Sequence, residues 1–152
     1  MINNLEDSCV VVHMGETKAS TLDKPVIGTY ALATCFAVLL YSESEKRAIV
    51  THSTSSNENV SKELLNCMIE NNMCDDIVKY KVIDGYYDDD HYGVKEKLNE
   101  LFSLPIFEEL TDFDDDSIHR DIESTEFMFD STTGKFVSNE YFGSNVVKGR
   151  GK

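Results

Sequence analysis

The chain has 152 residues, with 14 Lys and Arg against 28 Asp and Glu, for a formal charge of −14. This length makes one domain with a real apolar core, expected over residues 1–142, ahead of a Gly-rich tail, 143–152. The charge excludes nucleic acid and anionic membranes as partners, because phosphates are neutralised by clustered Lys and Arg and nothing here exceeds Lys46–Arg47.

In chain order, Cys9–His13 predicts a first strand, being β-branched and apolar. Cys35–Tyr41 and Arg47–Thr51 predict two more, joined as a hairpin through Ser42–Lys46. The run Ala31–Tyr41, broken by Thr34, is too short to span a bilayer. From Val60, Leu64, Leu65, Met68 and Ile69 recur at helical spacing, and Ser55, Ser56 or Asn57 is placed to cap the start. Ile77–Ile83 predicts a strand, and Val94, Leu98, Leu101 and Phe102 a second helix stopped before Pro105. Thr125–Asp130 and Lys135–Ser138 close the set as a hairpin turning through Ser131–Gly134, where Gly134 supplies positive φ. Strands and helices in irregular alternation predict an α+β fold: a layered or barrel-like mixed β-sheet core with two main helices packed outside.

Cys9, Cys35, Cys67 and Cys74 are too sparse for a disulfide framework, and no Cys and His pairs stand at zinc-ligand spacing. Cys67 and Cys74, seven apart, are expected on one helix face as buried, inert thiols. The clusters Asp88–Asp90 and Asp114–Asp116 lack the ligand order, central Gly and terminal Glu of a calcium loop, so they read as solvated acidic loops. No metal and no organic cofactor is expected. The acidic, polar start Met1–Asp7 lacks the pattern of a secretory leader, and a cytoplasmic location is expected.

One constellation carries chemistry. Cys35 opens the first strand of the hairpin and His52 closes the second, so antiparallel pairing brings them close. A nearby imidazole takes a thiol proton or stabilises the thiolate, which makes attack on a carbonyl feasible at neutral pH. Residue type alone allows a plainer reading, with Cys35 in the core and His52 at the surface.

The run Thr29-x5-Cys35-x16-His52 resembles the active-site pattern of the chemoreceptor glutamine deamidase family (CheD), which has Thr, Cys and His at these separations. His13-Met14-Gly15-Glu16-Thr17-Lys18-Ala19-Ser20 resembles the segment preceding that motif, and Phe129–Val137 its closing hairpin. Ala33-Thr34-Cys35 with Val50-Thr51-His52 is also similar to the protein N-terminal asparagine amidohydrolases of the same superfamily, as is Val82–Asp88, with Asp84 where a first glycine stands in that family. The receptor deamidases instead carry Gly-Ser-Cys at the nucleophile and a Gly-Gly loop, both of which this chain lacks.

The resemblance implies a CheD-like domain with Cys35 as nucleophile, His52 as general base and acid, and Thr29 orienting His52 or the substrate amide. Thr29 is otherwise a strand-entry residue after Gly28. Thr34 and Thr51 are the candidate substrate-binding residues. The implied activity is cysteine-dependent hydrolysis of a Gln or Asn side-chain carboxamide in a protein, one with a basic surface or an exposed N-terminal Asn. A cysteine protease or transglutaminase variant is the neighbouring chemistry, and a non-enzymatic acidic protein-binding module is the alternative from another class.

Overall fold

The computed structural model describes residues 8–32, 35–54, 57–74, 77–84, 98–104, 111–112, 119–120 and 125–137. Its elements in chain order are β1 (Val10–Val11), β2 (Thr17–Ala19), β3 (Val26–Leu32), β4 (Phe36–Ser42), β5 (Arg47–Ser53), α1 (Val60–Glu70), β6 (Ile77–Asp84), α2 (Asn99–Phe102), β7 (Thr111–Asp112), β8 (His119–Arg120), β9 (Thr125–Asp130) and β10 (Lys135–Phe136).

The strands form two sheets of five, so the architecture is α+β and layered; the barrel-like form of the expectation is corrected, because the strands do not close on themselves. One sheet runs β1-β3-β9-β10, with β8 also on β9; the other runs β2-β5-β4-β6-β7. Pairing is antiparallel except for β1 with β3 and β6 with β7.

All seven residues of β4 are buried, which requires cover on both faces of its sheet. The period of two divides them. Cys35, just before the strand, lies with Ala37, Leu39 and Tyr41 among Ile27, Leu32, Phe127 and Phe129 of the other sheet. Phe36, Val38 and Leu40 turn the opposite way and pack with Val60, Leu64, Met68, Leu98 and Leu101 of the helix layer. The second sheet is therefore the middle layer. Each large side chain fully buried there contributes roughly 1.5–3 kcal/mol relative to exposure.

Strands β2 and β3 fall outside the expected set, as do β7 and β8. β2 is short and polar, and it adds to β5 with Thr17 opposite Thr51. β3 contains Gly28, which in sequence looks like a breaker. A Cβ at Gly28 would lie 2.1 Å from the Phe127 carbonyl oxygen and 2.5 Å from Met128 Sδ, so glycine is what lets β3 approach β9. The strand expected over Cys9–His13 pairs only at Val10–Val11, and the chain then turns through His13–Glu16.

Helix α1 forms where the apolar period predicts it. Its cap differs: Asn59 holds the N-cap position without a side-chain bond, while Asn57 accepts from the Asn59 N–H at 2.8 Å and donates to Ser53 Oγ at 2.7 Å. Ser55 and Ser56 lie outside the described residues. The helix ends at Glu70, with Asn72 left-handed at φ 57° and Asn71 Nδ2 donating to the Cys67 carbonyl at 2.8 Å. Cys74 is thus past the helix, so the shared helix face expected for Cys67 and Cys74 is corrected. The second helix is described as one turn, and residues 94–97 of the expected span, the acidic clusters 88–90 and 114–116, Ser138 and the tail lie outside the described residues.

The closing hairpin turns as expected, with Gly134 at φ 72°. The Tyr41 hydroxyl donates to the Ser131 carbonyl at 2.9 Å and ties that turn to β4. Among the described residues no helix is long and apolar enough to cross a membrane.

Candidate active site

β4 and β5 pair with Ala37 opposite His52 and Phe36 opposite Ser53. Cys35 shares the side of Ala37, so it stands diagonally from His52 on the face turned toward the other sheet. Diagonal neighbours have backbones about 7–8 Å apart, with side chains closer. The hairpin thus brings Cys35 and His52 to one end of one face.

Thr29 arrives from the opposite sheet. Gly28 draws β3 against β9, and the next side chain, fully buried, meets the imidazole: Thr29 Oγ1 is 2.8 Å from His52 Nδ1 and donates to the Val12 carbonyl at 2.5 Å. A hydroxyl has one proton. Because that proton goes to Val12, Nδ1 must carry its own hydrogen and donate to Thr29 Oγ1. The other nitrogen, Nε2, is then a bare lone pair. It is buried and has no hydrogen-bond partner among the described residues. Leaving a buried polar atom unpaired costs about 1–3 kcal/mol, and such orphans in native proteins call for a reason.

The backbone of His52 is clamped by the His13–Glu16 turn. The Gly15 N–H donates to the His52 carbonyl at 2.7 Å, and the His52 N–H donates to the Glu16 carbonyl at 3.0 Å. The turn closes on itself through the Glu16 N–H to the His13 carbonyl at 2.9 Å and the His13 N–H to Glu16 Oε1 at 2.9 Å. Its positive-φ position is Gly15, at φ 87°. The His13 N–H, and secondarily Lys18 at 3.3 Å, hold the Glu16 carboxyl below its ordinary range.

At the tip of this turn Met14 places Sδ 3.6 Å from Cys35 Sγ, accepting the thiol hydrogen. A cavity of about 220 Å³ is lined by Val12, His13, Met14, Tyr30 and His52, with the His13 ring edge-on to Tyr30. Met14 therefore touches the thiol and shares the cavity of the imidazole.

Burial sets the protonation of both groups. Desolvation pulls the His52 pKa down to about 4, outweighing the Val12 carbonyl, which favours the cation, while nearby His13 lowers it further. Desolvation also pushes the Cys35 thiol up. At neutral pH the resting pair is a neutral imidazole and a protonated thiol.

Of the residues expected from sequence, Thr29 and His52 meet, and Cys35 lies on the same face at the same end, its thiol bonded to Met14 and not to His52. Thr51 does not join them: it points to the helix side, where its hydroxyl lies 2.7 Å from Thr17 Oγ1 and donates to the Glu16 carbonyl at 3.3 Å. Thr34 lies outside the described residues. Sequence reasoning did not single out Val12, Met14 or Tyr30. The available signal was the His-Met-Gly-Glu run, whose glycine marks a turn directly ahead of the paired strands. Among the described residues no three His, Cys, Asp or Glu side chains gather as metal ligands. No protein-family model matches the chain, and no curated protein matches it.

Proposed function

We propose that the chain is a cysteine-dependent protein amidohydrolase of CheD-like type, hydrolysing the side-chain carboxamide of a Gln or Asn in a protein substrate. The observation that carries this reading is the buried, unpartnered Nε2 of His52, held as a base by Thr29 on the Cys35 face.

The chemistry follows from the neutral resting pair. Nε2 takes the thiol proton as Sγ attacks the amide carbon, and Nδ1–H stays on Thr29 to steady the developing imidazolium. The same proton passes to the departing ammonia. Water, deprotonated by Nε2, then cleaves the thioester to leave a carboxylate and the free thiol. The cavity of about 220 Å³ beside His52 has room for one side chain. The net charge of −14 attracts a basic protein partner, so turnover should weaken as salt shortens the screening length. Free thiols throughout the described chain suit a reducing, cytoplasmic setting.

The test is mass spectrometry of candidate proteins bearing Gln and Asn, incubated with wild type and with Cys35→Ala. Amide-to-acid conversion with ammonia release in wild type alone supports the reading. Conversion that persists in Cys35→Ala overturns it.

A further inference from the structure

Two sulfurs and an unpartnered ring nitrogen gather around the cavity beside His52. Nε2 of His52 carries a lone pair with no partner among the described residues, on a side chain only 3% exposed. Met14 lines the same cavity and is 63% exposed, with its Sδ 3.6 Å from Cys35 Sγ. Amide hydrolysis makes no use of that thioether. The backbone beneath Met14 is held, because its turn is bonded to both the N–H and the carbonyl of His52, so positions 14 and 52 are tied together by main-chain bonds. Thiolate and thioether sulfurs select Cu(I) among the biological metal ions, and imidazole nitrogen suits copper as well. With a methionine among its donors, this set is distinct from the groupings of three His, Cys, Asp or Glu side chains, of which the described residues hold none.

We propose that Cys35 Sγ, Met14 Sδ and His52 Nε2 form a three-coordinate site for Cu(I). With metal–sulfur bonds of about 2.3 Å, as in zinc thiolates, sulfurs 3.6 Å apart subtend about 105° at the metal. A trigonal angle of about 120° sets them about 4.0 Å apart, a small shift for a methionine with its rotatable bonds. On binding, the metal replaces the hydrogen that Sγ now shares with Sδ, and that proton leaves to solvent. Cu(I) stays Cu(I), so no oxidant or reductant is needed. Thiolate and Cu(I) cancel, which makes the buried complex neutral; a zinc ion would leave a net charge in the same place and one of its four positions unfilled. The imidazole is already arranged as metal-ligating histidines are, since its other nitrogen donates to Thr29 Oγ1 and the tautomer and ring are thereby fixed. Met14, at the surface, gives the ion its entry path. The site rests on its donor atoms and not on the amidohydrolase reading; where that activity is present, copper occupies nucleophile and base together and stops it.

The test gives the protein, under anaerobic conditions, one equivalent of Cu(I) buffered by bicinchoninate, then iodoacetamide, and reads labelling cysteine by cysteine from peptide maps. In wild type Cu(I) should protect Cys35, and copper-edge X-ray absorption should show two sulfurs at about 2.3 Å and one nitrogen at about 2.0–2.1 Å. Met14→Leu and His52→Gln should each lose the protection although Cys35 is still present. Thr29→Val should weaken Cu(I) binding by about 10–100-fold, as loss of the outer partner of a metal-ligating histidine does. Protection of Cys35 that is equally strong in Met14→Leu and His52→Gln overturns the site, because the thiol then takes copper by itself. Absence of protection in wild type overturns it too, and so does better protection by zinc than by Cu(I). None of these readouts involves a substrate, so protection in a protein that converts no amide leaves the copper site standing and removes only the amidohydrolase reading.

Discussion

Thr51 and His52 are adjacent in β5 and face opposite layers of the same molecule. On the helix side, the Thr51 hydroxyl is bonded to Thr17 and to the Glu16 carbonyl, and the residues around it form a closed apolar core. On the side facing the other sheet, His52 is as deeply buried, yet one of its nitrogens is left without a partner and a cavity opens beside it. A strand turns successive side chains to opposite faces, so one residue separates a satisfied hydroxyl from a ring nitrogen that faces a cavity. Burial alone does not distinguish them; the hydrogen-bond accounting does.

The comparison breaks most visibly at the imidazole. His52→Ala should lower kcat for amide hydrolysis by roughly 10²–10⁴-fold, the range expected for loss of a general base, as read by ammonia release. Thr29→Val should act through His52: it removes the acceptor that fixes Nδ1–H, and about a 10–100-fold loss is expected by analogy with outer partners that orient metal-bound histidines. Thr29→Ser keeps the oxygen and should restore most of the rate, which a merely steric role for Thr29 would not predict.

The next effect is on stability. Because the folded-state pKa of His52 is depressed to about 4 from 6.5, the unfolded chain binds the proton first as pH falls. Stability from this group is full above pH 6.5 and is lost as pH drops from 6.5 toward 4, on the order of 3 kcal/mol across that window. Denaturant unfolding at several pH values should show this slope in wild type and a flatter one in His52→Gln.

The smallest effect belongs to the other face. Thr51→Val should cost about 1 kcal/mol through its lost hydrogen bonds and leave kcat unchanged. A fall in kcat at normal stability would return Thr51 to the substrate side.

The hairpin was legible because its two apolar strands flank a polar turn, and pairing follows from that alone; it put Cys35 and His52 at one end without further knowledge. Helix α1 was legible from the spacing of Leu64 and Met68, but its end was not, since the stop depends on Asn71 folding back onto the Cys67 carbonyl. The strand carrying Thr29 was legible only as an entry after Gly28, although it begins at Val26. A glycine demanded by close approach to Phe127 looks in sequence like a glycine that breaks a strand. The link from Val12 through Thr29 to His52 joins residues 17 and 23 positions apart across two sheets, and no local pattern encodes it. Thr51 was expected beside the substrate from the resemblance of Val50-Thr51-His52, but adjacency in a strand turns it to the face opposite His52. Met14 went unread because a turn methionine has no chemistry until the thiol beneath it is seen.

The most direct test of the Cys35–His52 pair is covalent trapping. A peptide carrying a chloromethyl ketone in place of the glutamine carboxamide should alkylate Cys35 ahead of Cys9, Cys67 and Cys74, and His52→Ala should abolish that preference. Alkylation of Cys67 or Cys74 at a matching rate, or undiminished labelling of Cys35 in His52→Ala, would contradict the account.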